Sequence, residues 1–363
     1  RFLIQYLHLW DKEGGRLDSY DVDFGSIDRV MDEILGNGDS FQDYIDVLTE
    51  GETPLSFEKI FTVIKDVITG ELGAVKELFV QMMVIVIIAS IFINLSKTLK
   101  SRQVSETGFY VAYMLLFMLI TVTFSKLEDI AFQSMDNLLS FMEALVPAFF
   151  ITVTYVSGSS TAVIFYQTAL VIISLVEVLL LKIFLPAVNI YFVFSMLNPI
   201  FGEDMFSKLI ELIEKLIVWG LKMVFALVAG VTVIQGMIIP AAGNVKRTIL
   251  GKALSSVPGA GNTMGQMFES VYGAANLIKN AVGTAGLIVI VTICAAPVIR
   301  LLVYSVVIQA GAAIAQPASN DKRLINCMSM ASKAFRLLLS ILAMTAVLFM
   351  LTIAIVIMST NPA

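Results

Sequence analysis

Apolar residues recur at helical spacing near the start of this chain and then give way to long runs with no polar face. Ser26 is placed to cap a helix with Ile27, Val30, Met31, Ile34 and Leu35 on one face, ended by Gly36 and Gly38. A second stripe holds Phe41, Tyr44, Ile45 and Leu48 and stops at Gly51. A third starts after Pro54, with Ser56 as N-cap and Leu55 as a staple, aligns Phe57, Ile60, Phe61, Ile64, Val67 and Ile68, and stops at Gly70. Residues 11–25 read as loop. Such short stripes suit a small helical domain or helices lying on a membrane surface.

From there the pattern changes. Phe79–Leu95, Phe109–Phe124, Leu216–Pro240 and Leu337–Ser359 are each close to the roughly 20 residues that cross a bilayer as a helix. Leu138–Val156 is apolar but holds Glu143 and Pro147, which suggests a re-entrant or interfacial helix. Ala162–Ile200 and Ala285–Ala315 are too long for single spans and are interrupted by Pro186 and Pro297. The expected fold is all-α: a polytopic helical membrane protein with broken or re-entrant helices. Its expected division is a helical N-terminal segment, 1–78, ahead of a transmembrane domain, 79–363.

Composition agrees. Hydrophobic residues make up 58% of the 363, charged residues 15%, and mean hydropathy is +0.86, far from the balance of a soluble domain. Charge then orients the chain. Residues 1–78 carry 7 basic and 17 acidic residues, a net of −10, which fits an extracytoplasmic position. The loop 96–108 is net +2 and reads as cytoplasmic, 125–161 is net −3 and reads as outside, and so does 202–215 at net −2. Residues 241–284 and 316–336 are each net +3, and 316–336 reads as inside. A chain opening on Arg1 rather than Met is compatible with a removed export signal or a trimmed start; the stub Phe2–Trp10 is too short to be that signal.

Two stretches resemble each other, about 162–240 and 285–359. Pro186 and Pro297 open similar apolar segments 111 residues apart, and Asn198-Pro199 and Gln316-Pro317 follow 118 apart. The loop charges make these inverted repeats, a transporter-like pattern; coincidence within low-complexity apolar sequence is the competing reading.

Catalytic patterns are missing. His8 is the one histidine, no zinc cluster or phosphate-binding loop is present, and Gly259-Ala-Gly261 with Gly265 has the wrong spacing for a dinucleotide fingerprint. No cofactor, metal, nucleic-acid partner or enzymatic role is indicated. The informative residues are ionisable ones inside apolar runs, which usually face protein or water. Glu177 and Lys182, five positions apart, are placed to line a polar path or to form a structural ion pair; Lys222 and Arg300 line such a path or snorkel. Pro186, Pro258, Gly259, Gly261 and Pro297 are candidate hinge or gate positions.

Residues 252–261 (Lys-Ala-Leu-Ser-Ser-Val-Pro-Gly-Ala-Gly), 268–283 (Phe-Glu-Ser-Val-Tyr-Gly-Ala-Ala-Asn-Leu-Ile-Lys-Asn-Ala-Val-Gly), Ala296-Pro297 and Gln316-Pro317 with Asp321-Lys-Arg323 resemble the stage III sporulation protein AE family. The resemblance runs from about residue 70 to the end. It implies a protein of endospore formers, made in the mother cell with an export signal and placed in the membrane around the engulfed forespore. Implied partners are the other stage III A proteins, including an ATPase and ring-forming components, and the forespore protein Q; a homo-oligomer is compatible with this. Together they would form a channel-like or secretion-like complex joining the two cells, with this chain as its permease-like part. The family supplies no catalytic residues to carry over. An ion-coupled secondary transporter and a non-conducting scaffold are the alternatives.

Overall fold

A computed structural model of the chain describes residues 24–36, 40–51, 57–98, 102–157, 159–201, 205–255, 261–318 and 322–359. Every regular element among them is helical. Two short helices, α1 (Gly25–Leu35) and α2 (Phe41–Thr49), precede the long ones. They bury the stripe residues Ile27, Met31, Phe41 and Ile45, as the periodicity requires. Gly36 ends α1 at φ 63, a left-handed conformation that glycine adopts without steric cost. Ser26 does not cap α1: Phe24 is the N-cap, and no side chain bonds there. The cap that does form is Ser40 of α2, in a capping box with Asp43. Asp28 joins the pair, accepting from the Phe41 amide at 2.6 Å and the Ser40 hydroxyl at 3.2 Å. The Ser56 cap and the loop over 11–23 lie outside the described residues.

The rest is a bundle of long rods: α3 (Phe57–Thr98), α4 (Arg102–Ser157), α5 (Ser159–Leu175), a π-helical segment (Val176–Phe184), α6 (Leu185–Leu197), α7 (Ser207–Ser255), α8 (Gly261–Ala318) and α9 (Lys322–Ser359). Gly70 does not stop its helix. It sits in open space inside α3, which runs on through residue 78 and joins the third short stripe to the first span. A glycine costs a helix interior about 1 kcal/mol, and the apolar run that follows outweighs it. Likewise α4 fuses Phe109–Phe124 with Leu138–Val156 in 56 residues, about 84 Å, with Pro147 accommodated on an exposed face. Between them Ser125, Lys126, Asp129, Gln133, Asp136, Ser140 and Glu143 face outward, while Leu127, Ala131, Met135, Leu138 and Met142 are buried. This half of α4 is therefore amphipathic rather than re-entrant. α1 lies against it, while α2 packs against α8 and touches α4 through Phe41, edge-on to Phe141 at 6.5 Å.

Among the described residues, five helices are long and apolar enough to cross a membrane: Lys65–Phe92, Glu106–Val156, Ala162–Ile200, Tyr272–Pro317 and Lys322–Met358. The expected span Leu216–Pro240 lies within α7. The two overlong runs do not turn back. α5, the π segment and α6 form one rod, and α8 continues through Pro297. The protein is a multi-pass membrane protein.

Contacts between rods set their directions. The Tyr113 hydroxyl of α4 donates to the Met196 carbonyl, Cys327 Sγ of α9 lies 3.7 Å from Met196 Sδ, and the Arg323 guanidinium sits 3.4 Å over the Phe109 ring. Lys333 reaches Glu214 at 3.4 Å. The starts of α4, α7 and α9 and the end of α6 thus gather at one end of the bundle, and Phe149, Phe165, Gly283 and Ile357 meet toward the other. The segments 202–215 and 316–336, expected on opposite sides, begin at the same end. The two similar stretches therefore run parallel, not inverted: the single-rod geometry of 162–200 and 285–315 removes the extra reversal that inversion needs.

At the centre, α9 packs against α4, α6, α7 and α8. Three glycines sit where neighbouring side chains press against the backbone: a Cβ on Gly283 would stand 2.5 Å from Ile357 Cδ1, on Gly286 2.7 Å from Leu145 Cδ2, and on Gly220 2.5 Å from the Phe184 ring. The Phe184 ring is rigid, so Gly220→Ala is expected to destabilise the protein by about 1–3 kcal/mol. Thermal unfolding of the purified protein in detergent measures this, and an unchanged midpoint would mean that α7 and the π segment are not in tight contact.

Candidate functional site

Glu177 and Lys182 form an ion pair, Nζ to Oε1 2.6 Å, and both belong to the π-helical segment. In an α-helix, residues five apart point about 140° away from each other. The wider π winding bonds i to i+5 and brings such residues onto one face; here the Leu185 amide donates to the Leu180 carbonyl, five residues back. Pro186 follows directly. Having no N–H, it lets the register return to α without forfeiting a bond. The pair faces out of the bundle, with side chains 45% and 65% exposed.

Arg300 does not join it. Arg300 Nε lies 2.8 Å from Glu71 Oε1 on α3, an ion contact without an aligned N–H bond, and the Tyr304 hydroxyl donates to the other Glu71 oxygen at 3.2 Å. Three further polar ties hold the rods together. Asn189 of α6 donates to Glu128 of α4. Glu214 of α7 accepts from Tyr191 of α6 and Lys333 of α9, each at 3.4 Å. Ser332 of α9 donates to the Ser305 carbonyl of α8 at 2.9 Å, and Ser305 donates back to the Ser332 carbonyl at 3.3 Å. Each tie that involves a charge therefore contains a glutamate that sequence reasoning did not single out: Glu71, Glu128 or Glu214. Glu71 was hidden by its place one residue past Gly70, in a segment read as lying outside the bilayer. Lys279, counted as a loop charge, is fully buried in α8.

Ahead of the Leu216–Pro240 stretch, Glu211 accepts from Lys215 at 2.8 Å and Lys208 at 3.4 Å. These bonds hold its carboxyl below the ordinary range and raise the Lys215 ammonium. Of the hinge candidates, Pro186 borders the π segment, Pro297 lies within continuous α8, and Gly261 begins α8. Pro258 and Gly259 lie outside the described residues.

Residues 40–360 match the family profile of stage III sporulation protein AE. The chain belongs to that family. It is 23% identical over 268 residues to the Stage III sporulation protein AE of Bacillus subtilis (strain 168), an alignment covering 74% of this chain and 67% of that protein. No solved structure matches it. Family membership assigns the chain a role in sporulation, and the five apolar helices make it a membrane component of that process. The match also takes in α2, which the motif resemblance from about residue 70 leaves out.

The link between α3 and α8 is open to a double-mutant cycle. Glu71→Gln and Arg300→Gln, singly and together, are expected to show a coupling of about 1–2 kcal/mol in unfolding free energy. Additive effects would mean that the charges stabilise the bundle independently.

Proposed function

We propose that this family member is the permease-like membrane component of a complex joining mother cell and forespore, located in the mother-cell membrane around the forespore. In this reading the N-terminal segment lies between the two membranes. The partners are the ATPase and ring-forming stage III A proteins and the forespore protein Q. The observation that carries the reading is the outward Glu177–Lys182 pair. An ion pair turned out of a bundle partway along an apolar rod is costly against lipid. Cover by a partner subunit or a second copy removes that cost. The Glu71, Glu128 and Glu214 ties point the same way: each is spent holding rods together, which favours a path formed with other subunits over one through a single bundle. A second reading, a non-conducting scaffold, draws on the same ties.

The reading is tested in sporulating cells of the host. Glu177→Gln combined with Lys182→Gln is expected to leave protein level unchanged, to weaken co-purification with the stage III A partners, and to lower late forespore gene expression. Wild-type sporulation by this variant would sink the proposed contact. Ion or solute flux by the purified protein alone in liposomes would instead favour a stand-alone transporter, and channel activity surviving neutralisation of every intramembrane charge would favour the scaffold.

A further inference from the structure

The second half of α4 carries a polar line on its outer face. Lys126, Asp129, Gln133, Asp136, Ser140 and Glu143 are all exposed. Their alternating steps of three and four residues keep them in one row, about 26 Å long. This is the spacing at which a second helix laid alongside meets every residue of the row. Among the described residues, none of the six side chains forms an ion pair or a hydrogen bond. They differ in this from Glu71, Glu128 and Glu214, which are each engaged between rods.

The depth of the row gives it meaning. Just before it, Phe124 meets Phe335 edge-on at 5.5 Å; just after it, Leu145 and Ile353 meet at Gly286. The row therefore runs beside α9 from residue 336 to about 353, and from Leu337 to Ser359 α9 has no charged residue. α5 is aligned with the end of the row through Phe149 and Phe165, 5.3 Å apart, and turns Val163, Ile164 and Val171 outward. At this depth one flank of the bundle is apolar and suits lipid. The other carries the row, and beside it α1 adds exposed Arg29, Asp32 and Glu33. Charges held at membrane depth face protein or a water-filled cavity, and the helical spacing favours protein. Two copies in one membrane are related by an axis along its normal, so a symmetric pair would set Asp129, Asp136 and Glu143 against their own counterparts. Those three acids recur at intervals of seven, and like charges in register repel. Their complement is a helix with cations at the same interval.

We propose that the α4 row is the docking surface for a basic membrane helix of another protein, with lysine or arginine repeating every seven residues opposite Asp129, Asp136 and Glu143. Gln133 and Ser140, between the acids, bond to polar side chains of the same helix. The surface shares no residue with the Glu177–Lys182 contact and stands or falls separately from it.

Synthetic leucine–alanine helices long enough to span a bilayer serve as probes, carrying at intervals of seven either three lysines, three glutamates or no charge. Each is reconstituted in liposomes with the full chain, and association is read by resonance energy transfer. The lysine helix is expected to associate about tenfold more tightly than the uncharged one, and the glutamate helix not at all. Asp129→Asn, Asp136→Asn and Glu143→Gln together should abolish the preference for lysine and leave the thermal unfolding midpoint unchanged. In membranes from sporulating cells, Asp136→Cys is expected to be shielded from a membrane-impermeant maleimide that labels the purified chain readily. Equal association of the lysine and glutamate helices, or a lysine preference that survives the triple substitution, would remove the charge recognition. Equal labelling in membranes and in detergent would put the row in open water, and a disulfide-linked pair of Asp136→Cys chains would make the occupant a second copy. Each of these results overturns the proposal.

Discussion

Helix α9 is the most deeply buried of the five apolar helices, with half of its membrane-crossing window inside the bundle, and that burial limits where polar groups can sit in the rest of the bundle. A helix wrapped by four others must satisfy every hydroxyl locally or across a contact, because a buried polar group without a partner costs more than its bond returns. The Thr345 and Thr352 hydroxyls donate to carbonyls four residues back, at 3.1 and 2.8 Å. Ser332, fully buried, is tied to Ser305. The exposed stripe takes the polar residues that remain: Asn326, Lys333, Arg336 and Ser340. Phe335 closes the buried face against Phe124, which stacks on Phe192 at 3.9 Å, so that α4, α6 and α9 share one aromatic contact.

With α9 claiming the centre, the other rods turn their apolar surplus outward. Ile91, Met118, Val171 and Trp219 are all more than half exposed. In water such a surface would drive aggregation; in a bilayer it is the solvent-facing side. This is why the membrane assignment was legible from composition and run length. The buried stripe of α1 and α2 was legible for the same reason, since a 3.6-residue period encodes a face directly.

What escaped the sequence is long-range or concerns helix continuity. Glu71 and Tyr304 are 233 positions apart, and no local pattern joins them. Gly70 and Pro147 read as breaks because local propensity penalises them, yet the buried apolar stretches continuous with them carry the helices through. The apolar excess of 162–200 was plain, but a hairpin and a single tilted rod have the same composition. The unbroken helical backbone from Ser159 through Leu197 decides between them, and the contacts of Met196 with Tyr113 and Cys327 fix where the rod ends. They also settle the direction of the similar stretches, which loop charge had assigned the wrong way. The −2 segment 202–215 and the basic segment 316–336 meet at one end, where Lys333 pairs with Glu214, so the acidic charge there is partly spent on a helix-to-helix tie.

The π segment shows how one local irregularity connects these levels. Each π turn holds about one residue more than an α turn, so the face presented after Phe184 is rotated relative to the face before Val176. With uniform α winding, Lys182 would point away from Glu177, and each charge would need its own partner. The wider winding lets the two neutralise each other on the outer surface, and it sets Phe184 against Gly220, where any larger residue would collide with the ring. Beyond it, α6 turns Asn189 toward α4 and Tyr191 toward α7. Both ties depend on the rotation that the π segment introduces. A rod that needed only to cross the membrane would gain nothing from this winding, so the segment is best understood as setting the register between an outer face that carries an ion pair and an inner face that locks three neighbours.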